Sequence, residues 1–188
     1  MIVGNGDLAS MLAPYDRRDR IYYAAGVSNS GKIPEPEYER DLQRLDDTIR
    51  NHMYSLPQKK LVYFSSLCVF YSTARYAMHK TYAEQMVRED CRSYAILRLG
   101  NITWGKNPTT LINFLRRLHR AGLPLDIQPV DRYIVTPDEL EHWLKLIPDW
   151  NCEMSIGCRM SVQAIADEFV YSKSQDDVLA GTLEMERT

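Results

Sequence analysis

Hydrophobic and polar positions along the 188-residue chain follow two recurring patterns. Short, nearly continuous apolar runs have the form of parallel strands covered on both faces. They are "MIV" (1–3), "RIYYAAG" (20–26), "KKLVYFSS" (59–66) and "SYAILRLGN" (93–101). Between them, apolar residues return every three or four positions, which predicts amphipathic helices. One covers "DLASMLA" (7–13), stopped by Pro14. A second covers 35–56, with Tyr38, Leu42, Leu45, Ile49 and Met53 on one stripe. A third covers 74–90, and a fourth runs from near Pro108 to Gly122.

Strand and helix in regular alternation predict an α/β fold, a Rossmann-like parallel sheet with flanking helices and right-handed crossovers. After Gly122 the units shrink. Residues 123–135 read as short strands, and 136–147 as a helix with Thr136 as N-cap and Pro137 in its first turn. A small strand follows at 153–160, then a helix at 161–170 capped by Ser161. The expected organisation is a truncated cofactor-binding core over 1–122, a small C-terminal substrate-binding lobe over 123–171 and a polar tail over 172–188. Whether a strand of the lobe returns to the core sheet is left open.

Charge narrows the partners. With 23 basic and 25 acidic residues the net charge is −2, which offers no footprint for nucleic acid or an anionic membrane. No apolar run approaches the roughly 20 residues of a membrane span. "MIVGNG" opens without a basic and apolar leader, so no signal peptide is expected and the protein reads as cytoplasmic. Cys68, Cys91, Cys152 and Cys158 form no C-x-x-C pair, and no histidine stands at ligand spacing from them. No metal is expected, and most of the thiols read as small buried hydrophobes. His52, His79, His119 and His142 lie on predicted helices, most of them at the surface. Trp104, Trp143 and Trp150 read as packing residues.

Two stretches carry candidate chemistry. "VGNGDLA" gives G-x-G-x-x-A from Gly4 to Ala9, between the first strand and the first helix. Such a turn lets backbone approach a pyrophosphate at a helix N-terminus. A full dinucleotide site needs further strand–helix units and an acidic residue for the ribose. Only one crossover fits between Val3 and Ile21, with Asp16 or Asp19 as substitutes for the acid. The second stretch is "SSLCVFYSTARYAMHK" (65–80). Tyr76 and Lys80, at i and i+4, share a helix face. A nearby ammonium favours a phenolate, and such a tyrosine can exchange a proton with a substrate hydroxyl. Ser66, where a parallel strand ends, is placed to hold that hydroxyl.

These motifs, in this order, resemble the extended short-chain dehydrogenase/reductases, in particular the nucleotide-sugar epimerase, dehydratase and 4-keto reductase group. "IVGNGDLASML" is similar to the family's glycine loop, and "IYYAAGVSN" to its fourth strand. "LVYFSSLCVF" resembles the strand carrying the active hydroxyl, and "LRLGNITWG" the strand ending in Asn-Val-Tyr-Gly. "DRYIVTPDEL" resembles a phosphate-contacting stretch, and "MSIGCRMSVQAIADEF" the substrate lobe. The resemblance implies Ser66, Tyr76 and Lys80 as catalytic residues. It also places Cys68 where some members carry a catalytic cysteine, against the alternative of a buried strand thiol. It implies NAD or NADP, held by Gly4, Asn5, Gly6, Asp7 and Leu8. Ala24, Ala25, Tyr76, Lys80 and Leu99 would add further cofactor contacts.

Ser66, Asn101 and Arg132 would meet a nucleotide-sugar substrate, and the long helices would pair in a homodimer through a helix bundle. The sequence departs from the family where the second and third strands are missing and where Leu67-Cys68 replaces an acidic pair, which disfavours dehydration. The implied activity is that of an NAD(P)-dependent oxidoreductase or epimerase. The alternatives are a non-catalytic nucleotide-binding or partner protein and a nucleotide sensor.

Overall fold

A computed structural model describes residues 1–27, 34–53 and 59–172. The first elements are β1 (Ile2–Val3), α1 (Asp7–Leu12), β2 (Arg20–Tyr23), α2 (Glu35–Thr48), β3 (Lys60–Ser66) and α3 (Arg75–Asp90). They continue with β4 (Tyr94–Leu99), β5 (Asn101–Ile102), α4 (Leu111–Arg120), β6 (Asp131–Val135), α5 (Pro137–Lys145), β7 (Cys152–Ile156), β8 (Cys158–Ser161) and α6 (Val162–Ala166). One sheet has the order β1-β2-β3-β4-β7, and every pairing in it is parallel. A second, β5-β6-β8, is mixed.

Successive strand residues point to opposite faces, and both faces here are covered. Tyr22, Val62, Phe64, Ala95 and Leu97 pack on one side with Leu12 of α1 and with Leu140 and Leu144 of α5. Ile21, Tyr23, Leu61, Tyr63 and Ile96 pack on the other with Leu45 of α2 and with Ala83 and Val87 of α3. The apolar runs seen in the sequence are the strands buried this way.

The same facts correct one expectation. Strands β1 to β4 step across the sheet in a single direction, yet α1 covers one face and α2 and α3 the other. Crossovers that step the same way on opposite faces have opposite hands. The β1–α1–β2 unit is therefore opposite in hand to the next two, and uniform right-handedness does not hold. In a full doubly wound sheet the first strand is central, with two further strands beyond it. Here, among the described residues, β1 pairs with β2 alone.

Other boundaries move. Gly100 divides the run at 93–101 into β4 and β5, so the chain leaves the main sheet for the small one. The segment 153–160 is two strands, with β7 in the main sheet and β8 in the small one. No strand is present over 123–130. Helix α2 ends at Thr48 in a π-turn, Ile49–Met53; the rest of that predicted helix and the tail over 173–188 lie outside the described residues. The caps are as expected: Thr136 Oγ accepts from Glu139 N at 3.2 Å, and Ser161 Oγ from Ala164 N at 3.1 Å.

The small sheet, α4 and α6 share a core of Ile112, Ile134, Ile165 and Phe169. All four cysteines are free, but only Cys91 is buried; Cys68 and Cys152 are half-buried and Cys158 is exposed. Trp150 is 73% exposed, so it is not a packing residue. No helix among the described residues is long and apolar enough to cross a membrane.

Candidate active site

β1 and β2 end level with Tyr63, and β3 continues to Ser66, so the carboxyl ends of the three parallel strands open on the same side of the sheet. Ligands gather at this edge of a parallel sheet. Ser66 closes β3, and its Oγ accepts from Cys68 N at 3.3 Å to cap the 3-10 turn Leu67–Phe70. That turn brings the chain back into α3, whose Tyr76 and Lys80 face the strand end. Lys80 Nζ stands 5.8 Å from the Tyr76 ring centroid. It donates to Tyr63 OH and to the Phe64 carbonyl, both at 3.4 Å. The Ser66 hydroxyl interacts with the Tyr76 phenol and favours its ionised form. The structure thus brings Ser66, Tyr76 and Lys80 together, with Cys68 beside them.

The electrostatics differ from the sequence reading. Burial pushes the Tyr76 phenol well up, and charge at Cys68 and Asp41 adds to this; Ser66 only partly opposes it. Burial also lowers the Lys80 ammonium, against Asp41, Cys68 and Glu84, which favour its charge. The Cys68 thiol is raised, chiefly by burial, the reverse of what a reactive thiol needs.

Two residues beneath the site were missed. Asp41 of α2 is buried and accepts from Tyr23 OH at 2.8 Å and from Val27 N at 3.1 Å. His79 Nε2 lies 2.7 Å from Asp41 Oδ2, the oxygen that also takes Val27 N, and the His79 ring packs on Tyr38 with centroids 4.9 Å apart. Burial pushes the Asp41 carboxyl up. Hydrogen bonds from His79, Tyr23 and Val27, with the Lys80 charge, outweigh burial and leave it low. His79 is fully buried, not a surface residue. The signal was available, because Asp41 falls between Tyr38 and Leu45 on the buried stripe of α2. Gly26 connects this layer to the site: a methyl there would sit 2.7 Å from Lys80 Nζ and 3.5 Å from Asp41 Oδ2.

The glycine turn fits a dinucleotide phosphate. Gly4 has φ +129°, and a methyl there would lie 2.5 Å from the Ala24 carbonyl oxygen. A methyl at Gly6 would meet nothing within 4 Å, so no protein neighbour demands glycine there and the space is open to a ligand. Gly4, Asn5 and Gly6 are exposed, and Ala9 is buried against the sheet as close helix packing requires.

The remaining predicted contacts are more varied. The Asp7 carboxylate is already used, accepting from Lys106 N and Asn107 N at 2.9 Å each. Leu8 and Ala24 pack on one face of the sheet and Ala25 on the other, while Leu99 is buried at the end of β4. Asn101 Nδ2 donates to the Tyr133 carbonyl at 3.0 Å. Arg132 is exposed on β6, and its Nη1 donates to the Asp131 carbonyl at 3.0 Å. Among the described residues no group of three potential ligands could hold a metal ion.

No family model and no curated protein matches the chain. Solved structures do match. The UDP-glucose 4-epimerase of Thermus thermophilus, complexed with NAD, superposes with TM-score 0.64 at 16% identity, over 85% of this chain and 65% of that one. The Bordetella bronchiseptica enzyme WbmG, in complex with NAD and UDP, gives 0.61 at 16% identity, over 79% and 55%. The dTDP-4-dehydrorhamnose reductase of Bacillus anthracis, in complex with NADP, gives 0.62 at 17% identity, over 79% and 62%. The fold is that of the extended short-chain dehydrogenase/reductases. The chain spans between about half and two thirds of the length of these proteins. In terms of that fold, the first strand stands at a sheet edge where a full Rossmann sheet continues.

Proposed function

We propose that the protein is an NAD(P)-dependent oxidoreductase or epimerase acting on a nucleotide-linked sugar. The observation that carries this is the convergence of Ser66, Tyr76 and Lys80 at the strand edge that also presents the open glycine turn. A nicotinamide bound at this edge would supply hydride exchange. Ser66 orients the reacting oxygen and Tyr76 carries its proton. Lys80 supports the phenol and contacts the nicotinamide ribose. Gly4, Asn5 and Gly6 hold the pyrophosphate. Asn101 and Arg132 face the substrate's diphosphate. Titration calorimetry with NAD(H) and NADP(H) tests cofactor binding; no heat at millimolar ligand removes the reading. A turnover assay on nucleotide sugars tests the chemistry, and activity that survives Tyr76→Phe removes the catalytic assignment.

One observation favours a second reading, a non-catalytic nucleotide-binding or partner protein. Among the described residues, no strand flanks β1 on its outer side, where the adenosine would be housed. Binding without turnover in the native protein would select it. A homodimer through α2 and α3 belongs to the first reading, supported by Met78 and Tyr82, 60% and 55% exposed on α3.

A further inference from the structure

We propose that Tyr71 and Tyr133 form a stacking ledge for the base of a nucleoside diphosphate, with Arg132 as the adjoining phosphate contact. The inference rests on the nucleotide-linked substrate of the first reading and assigns its base-binding subsite. Tyr71 lies in the short loop between Ser66 and Tyr76, directly after the turn that Ser66 caps. Its ring stacks on Tyr133 with centroids 6.1 Å apart and planes inclined by 29°.

Tyr133 is a firm backing. It lies mid-strand in β6, between β5 and β8, and its carbonyl accepts from Asn101 Nδ2 at 3.0 Å. A methyl on Gly100 would come within 2.7 Å of the Tyr133 carbonyl group, so the end of β4 presses directly on this backbone. Leu99, one residue earlier, pairs with Ser66. The tyrosine pair therefore sits at the same sheet edge as the catalytic candidates.

Tyr71 remains 57% exposed although it is braced from behind. A large aromatic surface held rigid and left open is a ready platform for a planar ring. Arg132 is exposed on the same strand as Tyr133, and its charge reaches the Tyr71 phenol. A guanidinium suits phosphate, and an aromatic face suits any nucleobase because every base has a π-face. A planar ring joined to an anionic group is the ligand that uses both. The ledge claims the class of ligand, not the identity of the base.

The test is titration calorimetry of UDP, dTDP, GDP and ADP against the full chain. Uridine and ribose 5-phosphate separate base from phosphate. Base stacking is worth about 1–3 kcal/mol, so Tyr71→Ala is expected to weaken the best diphosphate and its nucleoside about tenfold. Tyr71→Phe, which keeps the π-face, restores the affinity. Tyr71→Leu, which keeps the bulk but not the ring, does not, and it serves if the alanine variant fails to fold. Arg132→Gln weakens the diphosphate but not the nucleoside.

The ledge is overturned if no diphosphate binds the native protein at millimolar concentration. Equal affinity in native and Tyr71→Leu protein, or ribose 5-phosphate binding as tightly as the diphosphate, also overturns it. NAD(H) titrated in parallel keeps the two ideas apart. Diphosphate binding that depends on Tyr71 without NAD(H) binding supports the ledge and sinks the enzyme. NAD(H) binding with diphosphate affinity indifferent to Tyr71 sinks the ledge alone.

Discussion

The Asp41 carboxylate meets the His79 imidazole at 2.7 Å, both residues buried between helices α2 and α3 and directly beneath the site. With Tyr23 OH and Val27 N also on it, this carboxylate anchors α2 to the end of β2. Removing its charge leaves donors that were arranged for an anion. Asp41→Asn is expected to cost about 2–3 kcal/mol at pH 7. The folded protein holds this carboxyl below its ordinary value of 3.8. Its stabilisation is therefore complete above that value and is lost as pH falls through the lower, folded one. Urea denaturation at pH 7 and near pH 3 checks this: the gap between native and variant should shrink in acid. A gap of equal size at both pH values would mean the charge is not what stabilises.

Gly26 tests whether the buried layer positions Lys80. A methyl there intrudes on Lys80 Nζ at 2.7 Å and touches Asp41 at 3.5 Å. Lys80 is buried and has little room to retreat. Gly26→Ala should cost only about 1–2 kcal/mol as a small overpacking, while NAD(H) affinity falls about tenfold or more because the ammonium is displaced. Calorimetry and thermal melting on the same sample separate the two. Affinity that falls no further than stability would sink this view of Lys80.

The glycine turn offers a paired experiment. Gly4 is required by the fold, because its φ of +129° and the 2.5 Å approach to Ala24 leave no place for a side chain. Gly6 has neither constraint. Gly4→Ala should lose about 3 kcal/mol of stability. Gly6→Ala should lose well under about 1 kcal/mol as a helix N-cap, yet bind NAD(H) much more weakly, since its methyl occupies the ligand's space. If both variants bind NAD(H) as the native protein does, the turn does not hold a pyrophosphate.

The parallel strands were legible because burial on both faces turns them into unbroken apolar runs. Strand β7 was harder to assign. It stands at the sheet edge, so Glu153 can reach Arg88 and Arg98, at 2.7 Å and 2.5 Å, and a charge interrupts the pattern. Ser66, Tyr76 and Lys80 were legible from their order and from one helical step. Their electrostatics were not, because spacing says nothing of desolvation, and burial decides the direction for both Tyr76 and Lys80. Asp41 is passed over although it falls between Tyr38 and Leu45 on the buried stripe of α2, and His79 is grouped with histidines read mostly as exposed. The hand of the first crossover could not be read either, since it depends on which face α1 covers.

Met78 and Tyr82 lie one helical turn apart on α3, and both are exposed. Large apolar side chains repeated along one exposed helix face suit a self-complementary contact, in which the same patch serves both subunits. Light scattering should give twice the chain mass of 21.8 kDa. The double substitution Met78→Glu, Tyr82→Glu should give the single mass without a change in melting temperature beyond that of dimer loss. A native protein already at the single mass would end the proposal.

Under the proposed chemistry, the pH dependence of turnover is set by Tyr76. Burial above all, with the nearby Asp41 carboxylate adding to it, holds its phenol protonated well above its ordinary value of 10. A tyrosine that takes a proton from a substrate hydroxyl must be ionised first. In that direction the rate is limited by the scarce phenolate and should climb about tenfold per pH unit from about pH 7 to about pH 10. In the reverse direction the neutral phenol is the donor, and the rate should be nearly level over the same range. Any residual rate in Tyr76→Phe should lose the slope. A forward rate independent of pH in the native protein would show that a group other than Tyr76 carries the proton.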